Sequence, residues 1–537
     1  MRNTRVWGLC GALVFALAIA VQAQTYSDIY NFGDVNKDAG FPLWSGIIAQ
    51  GHDGNLYTTT PYGGTNNVGA AVKITPSGQE TVLYNFNNSD SDEAFPFSGL
   101  SLGIDGNLYG ATIGSLDSSM GKVFKITPNG QITFLHTFKY AEGYHPFAPP
   151  IQASDGNLYG TTSLGGANGK GTVYKITLSG QFKTIGSFNY TNGYYSNAPL
   201  VEGTDGNFYG TTWEGGSSGV GTVFQVTSKG KITTIHNFTW YDGAYPRAPL
   251  VQASDGNLYG VADGGGANAY GTVFKVTTKK KFTLLHSFSP SDGEYSSAGL
   301  VQGTDGNLYG VTSQSGSNSY GTIYRITTSG NFSVIYNFDY THGSQPMVTL
   351  MQHTVGPIYG NTDNGGPHGY GTFFSLNANL PPFAKLVTFA GKVGTSIGIL
   401  GQGFSGATGV SFNGTSATFN IVSDTFLSAT VPDGATTGPV TVNMGGTKLV
   451  SNQKFLVTPT ITSFSPTSGP VGTQVIISGV SLSQAMLVKF GTTAASFTVN
   501  NDKKVTATVP ANAKSAEIMI TTPGGIATSS LPFTVTP

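Results

Sequence analysis

The stretch Asp255-Gly256-Asn257-Leu258-Tyr259-Gly260 returns along the chain at a nearly fixed interval with single changes. Each copy opens on an aspartate, at Asp53, Asp105, Asp155, Asp205, Asp255 and Asp305. The first step between copies is 52 residues and each later step is 50 residues. A degraded seventh copy, Val355-Gly356-Pro357-Ile358-Tyr359-Gly360, follows after another 50 residues. Seven units of one supersecondary module predict a closed repeat architecture.

Each unit contains four short runs of strand-like sequence. In the unit around Asp255 these runs are 248–253, 258–262, 271–276 and 282–288. They are rich in β-branched and aromatic residues, alternate between apolar and polar positions and are separated by Asp-Gly or Lys-rich turns. No segment carries the longer apolar period of a helix. Four strands in a unit of this length predict one blade of a β-propeller.

The two ends of the repeat array predict how the ring closes. The seventh unit stops after its third run, at Leu376, so its final strand is missing. Ile29-Tyr30-Asn31-Phe32, near the start of the chain, is identical to Ile335-Tyr336-Asn337-Phe338, a final strand. We therefore expect an all-β, seven-bladed propeller closed by an N-terminal strand, which removes open sheet edges. A linear β-solenoid is the alternative, but it would not need a displaced strand.

A second type of module begins after Leu380-Pro381-Pro382, where the 50-residue interval ends. Two related segments follow with an offset of 78 residues, as shown by the pairs Gly391 and Gly469, and Phe412 and Phe490. Short strands and turns in segments of this size predict two small Ig-like β-sandwiches. We expect a signal peptide at 1–23, a propeller at 24–379, and sandwiches at 380–458 and 459–537.

The N-terminal segment has the features of an export signal. Arg2 and Arg5 precede an apolar run at 9–20, and Val21-Gln22-Ala23 forms a small-residue cleavage site. The run is too short for a membrane span, and we expect no span in the mature chain. The sequence therefore predicts an exported protein that is secreted, held at the cell surface or periplasmic. Cys10, the single cysteine, lies within the removed segment, so we expect no disulfide.

The charge balance excludes one class of partner. Charged residues make up 10% of the chain, and 26 Lys and Arg residues nearly balance 27 Asp and Glu residues. Because there is no basic stripe, we expect no nucleic acid partner. We also expect no cofactor.

Two family resemblances are carried by these motifs. The hexapeptide and repeats such as Gly271-Thr272-Val273-Phe274-Lys275 resemble those of the GloVer-type tandem repeat proteins, which are exported bacterial proteins. The resemblance covers roughly residues 26–378. The segment 381–537 resembles tandem IPT/TIG domains, which are immunoglobulin-like modules. The first resemblance implies an exported repeat protein without a defined biochemical role. The second implies a spacer, or contacts to proteins or glycans. Since the chain ends at Thr536-Pro537 without a sorting tail, we expect no covalent attachment.

The sequence contains possible motifs for catalysis and metal binding, but the context of each one favours a structural role. Gly394-Thr395-Ser396-Ile397-Gly398 matches a nucleophile elbow, but the second sandwich has Gln474 in place of Ser396 and no helix follows. The Asp-Gly-Asn turns lack the alternating oxygen ligands of a calcium loop, and a hairpin turn is favoured. Equivalent histidines on the final strands would be separated by whole blades: His136, His236 and His286. We assign no catalytic or metal-binding residue.

A first candidate constellation lies three residues before each turn aspartate. This position lies on the first strand of each blade, nearest the axis, and it is polar in every unit except the second, which has Leu102. The polar residues are Gln50, Gln152, Glu202, Gln252, Gln302 and Gln352. They are candidates to line the central channel. The alternative is that they form hydrogen bonds to neighbouring blades, since buried polar groups need partners.

A second candidate constellation lies in the long Gly-rich loops and the blade-to-blade connections, which share one face. The mature tryptophans Trp44, Trp213 and Trp240 all belong to these segments. The candidate ligand-binding residues are Tyr194, Tyr195, Trp213, Glu214, Trp240, Tyr241, Asp242 and Tyr245. Aromatic rings stack on sugars and carboxylates accept hydrogen bonds from hydroxyls, so the set predicts a glycan site. The alternative is that the aromatics pack between blades and the acids form turns.

Three functional hypotheses follow from the sequence. The leading one is an exported, non-catalytic binding or adhesion protein whose long-loop face recognises a polysaccharide or cell-surface component. The sandwiches would then act as a spacer, as a docking arm or as a site for a protein partner. The second is a polysaccharide lyase or glycoside hydrolase that uses acids such as Glu214 and Asp242. The third is a structural component of the envelope or matrix.

Overall fold

The computed structural model describes residues 24–33, 39–40 (backbone only), 46–89, 94–114 and 120–537. The expected signal peptide and Trp44 lie outside these ranges. The described residues form β-strands throughout, and their only helical elements are two 3-10 turns, at Tyr140–Glu142 and Phe404–Gly406. The chain is therefore all-β, as its sequence predicts.

Seven four-stranded antiparallel sheets occupy the described part of the chain between Thr25 and Asn377, and we number them as blades 1 to 7. Blade 1 comprises Ala49–Gln50, Leu56–Thr60, Ala70–Ile74 and Glu80–Asn85. Blade 2 comprises Ser101–Leu102, Leu108–Thr112, Lys122–Ile126 and Ile132–Thr137. Blade 3 comprises Ile151–Gln152, Leu158–Thr162, Thr172–Ile176 and Phe182–Ser187. Blade 4 comprises Val201–Glu202, Phe208–Thr212, Thr222–Val226 and Ile232–Asn237. Blade 5 comprises Val251–Gln252, Leu258–Ala262, Thr272–Val276 and Phe282–Ser287. Blade 6 comprises Val301–Gln302, Leu308–Thr312, Thr322–Ile326 and Phe332–Asn337. Blade 7 comprises Met351–Gln352, Ile358–Asn361, Thr372–Asn377 and Thr25–Asn31. A short extra pair joins Ala39–Gly40 to Tyr62–Gly63.

The N-terminal strand completes blade 7. Thr25–Asn31 pairs antiparallel with Thr372–Asn377, so strands from the two ends of the array share one sheet. The Tyr26 ring stacks on Tyr336 of blade 6, with 4.0 Å between ring centroids and an interplanar angle of 7°. The Tyr26 hydroxyl donates to the His342 carbonyl at 2.6 Å. The predicted closure by this strand is therefore observed, and it leaves no missing strand in blade 7.

Apolar side chains fill the interfaces between neighbouring blades and close the ring. One cluster joins blade 7 to blade 1 through Val348, Phe373, Ile48 and Leu56. The remaining neighbouring blades share equivalent clusters. Because the last sheet packs on the first, the arrangement is a ring, and a linear β-solenoid is excluded. Each blade can bury both sheet faces only by packing against its neighbours.

The recurring hexapeptide links a turn to these clusters. In blade 5, Asp255 Oδ1 accepts from the Asn257 backbone N–H at 3.0 Å, and Oδ2 accepts from the Asn257 amide at 2.8 Å. Oδ2 also accepts from the Tyr259 hydroxyl at 2.7 Å. Gly256 has a φ of +81°, which favours glycine. The Tyr259 ring is fully buried between blades 5 and 6, and its burial raises the pKa of its hydroxyl. The motif thus fixes the turn and the inter-blade core together.

Two β-sandwiches follow the propeller. In the first, one sheet contains Lys385–Leu386, Ser396–Leu400, Phe426–Thr430 and Phe419–Ser423, and the other contains Ala390–Gly391, Thr447–Val457, Gly438–Met444, Gly409–Phe412 and Thr415–Ala417. In the second, the sheets contain Thr460–Ser465, Gln474–Val480, Lys504–Thr508 and Phe497–Asn501, and Ser468–Gly469, Gly525–Val535, Ala516–Thr522, Leu487–Phe490 and Thr493–Ala495. Each sandwich has its own apolar core.

The first sandwich packs against the face of the propeller that carries the Asp-Gly-Asn turns. The His52 ring stacks on Phe426, with 3.5 Å between ring centroids and an interplanar angle of 10°. The His52 carbonyl accepts from the Thr425 hydroxyl at 2.6 Å. In blade 7, the Thr354 carbonyl accepts from the Phe383 N–H at 3.0 Å. The long-loop face lies on the opposite side of the ring and is left open.

Candidate functional site

The long-loop face concentrates exposed aromatic side chains. In the described residues, every aromatic ring that ranks as a large exposed hydrophobic group belongs to a long loop or a blade-to-blade connection: Tyr140, Tyr190, Trp240, Tyr241, Tyr320, Tyr340 and Tyr370. Exposed aliphatic side chains, by contrast, lie mainly on the sandwiches. Exposed aromatic groups confined to one face are typical of a binding surface.

Backbone pairing fixes the shape of this face. The Tyr194 N–H donates to the Glu214 carbonyl at 2.8 Å, and the Glu214 N–H donates to the Tyr194 carbonyl at 3.0 Å. The next residue, Tyr195, has a left-handed backbone with a φ of 56°, and Tyr245 has a φ of 59°. The Tyr195 carbonyl accepts from the Trp213 N–H at 2.9 Å. Left-handed backbone is costly for residues other than glycine, and here it directs aromatic side chains into the face.

The structure brings five of the eight candidate residues into one row across blades 3 to 5. Centroid distances along the row are 3.8 Å from Tyr194 to Tyr195, 5.8 Å from Tyr195 to Trp213 and 6.2 Å from Trp213 to Tyr245. Trp240 ends the row at 6.0 Å from Tyr245. Residues that are separated in sequence by up to 51 positions therefore form one continuous aromatic strip.

Two rings of the row, those of Trp213 and Tyr194, are packed against cations, as in the alternative interpretation of the sequence in which the aromatic rings pack. The Arg247 guanidinium lies 5.3 Å from the Trp213 ring centroid and pairs with Asp263 at 2.5 Å. The Lys170 ammonium lies 4.2 Å from the Tyr194 ring centroid. Cations on these ring faces leave less area for a ligand. Trp213 and Tyr194 therefore contribute to the packing of this surface more than to its open area.

Trp240 and Tyr241 are the open members of the candidate set. Trp240 is 46% exposed and Tyr241 is 86% exposed. Tyr190 occupies the position equivalent to Trp240, 50 residues earlier, and is 48% exposed. Sequence reasoning did not select Tyr190, Lys170 or Arg247, although the repeat offset from Trp240 identifies Tyr190 directly.

The acidic candidates have different environments. Asp242 Oδ1 accepts from the Thr239 N–H at 2.8 Å, and Oδ2 lies 3.1 Å from His236 Nε2. The Asp242 carboxylate therefore holds a turn, which agrees with the alternative interpretation for this residue. Glu214 is partly exposed beside Tyr194. The pKa of Tyr194 is raised chiefly by burial, then by its contact with Tyr195, and also by the Glu214 charge.

The three equivalent histidines lie on outermost strands and hold neighbouring blades together. The His236 ring stacks on Phe282 of the next blade with 3.8 Å between centroids. His136 and His286 stack in the same way on Phe182 and Phe332. Burial lowers the pKa of His136 and of His236. Across the described ranges, no three His, Cys, Asp or Glu side chains converge in a way that would hold a metal ion.

The candidate channel residues link consecutive blades. Gln252 Oε1 accepts from the Thr204 N–H of the preceding blade at 2.9 Å, and Gln252 Nε2 donates to its own turn at the Gly256 carbonyl at 2.9 Å. The other residues of the set accept from the preceding blade in the same way: Gln50, Gln152, Glu202, Gln302 and Gln352. Gln252, Gln302 and Gln352 also line a cavity at the axis.

Departures from the repeat coincide with the contact to the first sandwich. Leu102 replaces the glutamine that would bond to the His52 turn, and that turn instead contacts the sandwich. In the degraded seventh copy, His353 Nε2 lies 2.8 Å from the Gly54 carbonyl. Thr354 Oγ1 donates to the Gly401 carbonyl of the sandwich at 3.3 Å. The sandwich is therefore held both by the irregular His52 and by Thr354, which matches Thr204 and Thr304 in the repeat.

Comparison with protein families identifies both parts of the chain. The model of the Gloeobacter/Verrucomicrobia repeat matches residues 96–312 and 280–407. The chain belongs to the Gloeobacter/Verrucomicrobia repeat family. The IPT/TIG domain model matches residues 383–457 and 459–535, so the two sandwiches are IPT/TIG domains. Both resemblances that the sequence motifs indicated are confirmed. No curated protein matches this member of the repeat family.

Solved structures similar to this repeat protein resemble it only distantly. A gluconolactonase from Xanthomonas campestris is 11% identical, covers 58% of this chain and 90% of its own, and gives a TM-score of 0.35. A surface glycan-binding protein from Prevotella bryantii is 19% identical, covers 27% of this chain and 38% of its own, and gives a TM-score of 0.22. These values carry no conclusion about the activity of this chain.

Within the described ranges, no helix of the repeat protein has the length and apolar character that crossing a bilayer requires.

Proposed function

We propose that this repeat protein is an exported, non-catalytic binding or adhesion protein whose long-loop face recognises a polysaccharide or another cell-surface component. One observation carries the proposal: the exposed aromatic rings of the described residues lie on the propeller face opposite the first IPT/TIG domain. Aromatic rings with one free face bind the apolar faces of sugar rings. Among the described residues, the covered face presents no comparable exposed aromatic surface.

The rim of the long-loop face repeats its aromatic groups from blade to blade. Tyr140, Tyr190, Trp240 and Tyr340 occupy one repeat position, with Pro290 in between. Tyr140 is 57% exposed and Tyr340 is 46% exposed. Successive weak subsites on one rigid ring favour a ligand that is itself repetitive, because linked contacts raise the effective concentration of the next contact. A polysaccharide chain meets this requirement better than a single sugar does.

The IPT/TIG domains act in this proposal as the spacer or docking arm. The first domain is fixed to the propeller through His52 and Phe426. The second is joined to the first by a hydrogen bond from the Thr437 N–H to Gln484 Oε1 at 2.7 Å. An ion pair from Lys503 to Asp433 at 2.7 Å adds a second contact. These contacts hold the domains on the side of the propeller opposite the long-loop face. In that position the domains are available to contact a protein partner.

A panel of soluble and insoluble polysaccharides tests the proposed function. The purified mature chain is incubated with each glycan, and both the retained protein and the released sugar are measured. We expect retention on at least one glycan without release of reducing ends or unsaturated products. Release of such products would replace the proposal with a lyase or hydrolase activity. Absence of both retention and release would leave a protein-binding or structural role.

A second comparison tests the multivalent character of the site. We expect a retained polysaccharide to bind at least about tenfold more tightly than its short oligosaccharides, because only the polymer reaches several rim positions. Isothermal titration calorimetry with both ligands measures the difference. Equal affinities for polymer and oligosaccharide would show that one subsite accounts for binding.

A further inference from the structure

A cavity of about 260 Å³ lies on the propeller axis, at the junction with the first IPT/TIG domain. Innermost-strand residues of blades 1, 5, 6 and 7 form its walls, and many of them are apolar, including Ile48, Val251 and Leu300. Residues of the IPT/TIG domain also line it, including Phe383 and Lys385. At about 30 Å³ for each water molecule of liquid, the cavity has room for several waters or a small organic ion.

Lys385 contributes the only charged side chain among the residues that line this cavity. Its backbone is held in the IPT/TIG domain, where Lys385 pairs with Leu400. Lys385 is partly buried, and burial lowers the pKa of its ammonium, with no acidic partner in the described residues to offset the effect. A partly buried ammonium without an acidic partner is stabilised by a bound anion. His353, which packs nearby, has its pKa lowered by its own burial and further by the Lys385 charge.

Two glutamines that line the cavity each keep a spare amide donor. Gln252 Oε1 and Gln302 Oε1 already accept backbone N–H groups of the preceding blades, at 2.9 Å and 2.8 Å. Each Nε2 donates one hydrogen bond, to the Gly256 or the Gly306 carbonyl. Because an amide nitrogen carries two hydrogens, one N–H remains on each glutamine. One ammonium and spare amide donors, without an aspartate or glutamate in the lining, favour an anion.

We propose that this axial cavity binds a small monovalent anion, with Lys385 as its charged partner and Gln252 and Gln302 as additional donors. The ligand is either a halide or a short carboxylate such as acetate or butyrate, whose apolar tail would contact Val251 and Leu300. The bound anion joins the propeller to the IPT/TIG domain, because its ligands come from both. This site is separate from the long-loop face and does not depend on the function proposed for that face.

Thermal unfolding and anomalous scattering test the anion site in the mature chain. At constant ionic strength, we expect bromide or a short carboxylate to raise the Tm by about 2 °C or more, as binding to the folded state requires. The rise should disappear in Lys385→Met and persist in the control Lys454→Met, since Lys454 is exposed on the same domain. The comparison of bromide with acetate and butyrate tells which type of anion is preferred.

Crystals of the unaltered chain grown with bromide give a test that does not depend on a variant folding. We expect an anomalous peak within hydrogen-bonding reach of Lys385 Nζ when a halide is accepted, and density for a carboxylate there when acetate or butyrate is preferred. The proposal is overturned if the cavity contains only water under both conditions. An equal response of the Tm to anions in wild type and Lys385→Met would also overturn it.

Discussion

At the scale of single residues, the recurring hexapeptide acts through one carboxylate that serves several donors. The turn aspartate accepts from a backbone N–H, from an asparagine amide and from the hydroxyl of a buried tyrosine, as Asp205 does for Asn207 and Tyr209. Charge-assisted bonds of this kind are stronger than neutral ones. The same three bonds form in five of the first six units. In the third unit the Asn157 amide donates to the Asp155 backbone carbonyl, and the Lys175 ammonium donates to the carboxylate. The seventh unit has Val355 at the aspartate position.

The seventh unit supplies a natural control for the tyrosine hydroxyl. Tyr259→Phe removes the hydrogen bond to Asp255, and we expect the free energy of unfolding to fall by about 1 kcal/mol. Tyr359→Phe alters the equivalent ring, for which position 355 offers no carboxylate, and we expect almost no change. Chemical denaturation of both variants measures the difference. Equal losses in the two variants would contradict the role assigned to the aspartate.

Two histidines have pKa values shifted in opposite directions and predict opposite effects of pH. Burial lowers the pKa of His353, so the unfolded chain binds a proton at higher pH than the folded chain does. Its contribution to stability is present above about pH 6.5 and is lost as the pH falls. The pKa of His342 is raised by its hydrogen bond to Asp339, so its contribution is present below about pH 6.5 and is lost as the pH rises.

The pH dependence of unfolding in two variants separates these effects. Between about pH 7.5 and pH 5.5, the loss of stability should be smaller in His353→Gln than in wild type. In His342→Gln the loss should be larger, although only slightly because the His342 side chain is 54% exposed. Urea denaturation at both pH values measures the slopes. An unchanged slope in His353→Gln would contradict the effect of burial at that residue.

At the scale of elements, the N-terminal strand determines whether the ring is complete. Tyr26 contributes most of its aromatic contact, because its ring packs against Tyr336, Phe338 and Phe374. Tyr26→Ala should therefore lower the free energy of unfolding by about 3 kcal/mol. Ser27→Ala, at an exposed position of the same strand, should change it little. Thermal and chemical unfolding provide the measurement, and a small effect of Tyr26→Ala would mean that blade 7 is stable without this packing.

Most of these elements were predictable from the sequence. The interval of the hexapeptide indicated the repeated blades, and the identity of Ile29–Phe32 with a later final strand indicated the closure. Both inferences succeed because each blade has the same strands, turns and core positions, so the sequence of one unit predicts the structure of the others. The Ig-like class of the two C-terminal modules followed from their internal similarity in the same way.

The contact between propeller and first IPT/TIG domain was not predictable from the repeats. It depends on His52, which breaks the pattern, and on Phe426 and Lys385, which belong to another module. Single exceptions in a repeat have no period that could indicate their role. The division of the aromatic row into packed and open rings was hidden for a similar reason, because Arg247 and Lys170 approach Trp213 and Tyr194 only in three dimensions.

At the scale of the whole molecule, the two faces of the ring differ in structure. The Asp-Gly-Asn face contacts the first IPT/TIG domain and borders the axial cavity together with it. The long-loop face carries the exposed rings and is rigid, because its loops are paired by backbone hydrogen bonds. A rigid surface with exposed aromatic groups binds at a low cost in conformational entropy.

We propose that the open rings of the long-loop face bind the ligand. A binding isotherm on a polysaccharide that retains the wild type, measured for the double variant Trp240→Ala and Tyr190→Ala, tests this proposal. The control is Leu284→Ala, which removes an exposed apolar side chain from the outermost strand of blade 5. We predict that the double variant loses affinity at least about tenfold, as expected for removal of two stacking contacts, while the control keeps wild-type affinity. Unchanged affinity in a folded double variant would contradict the claim.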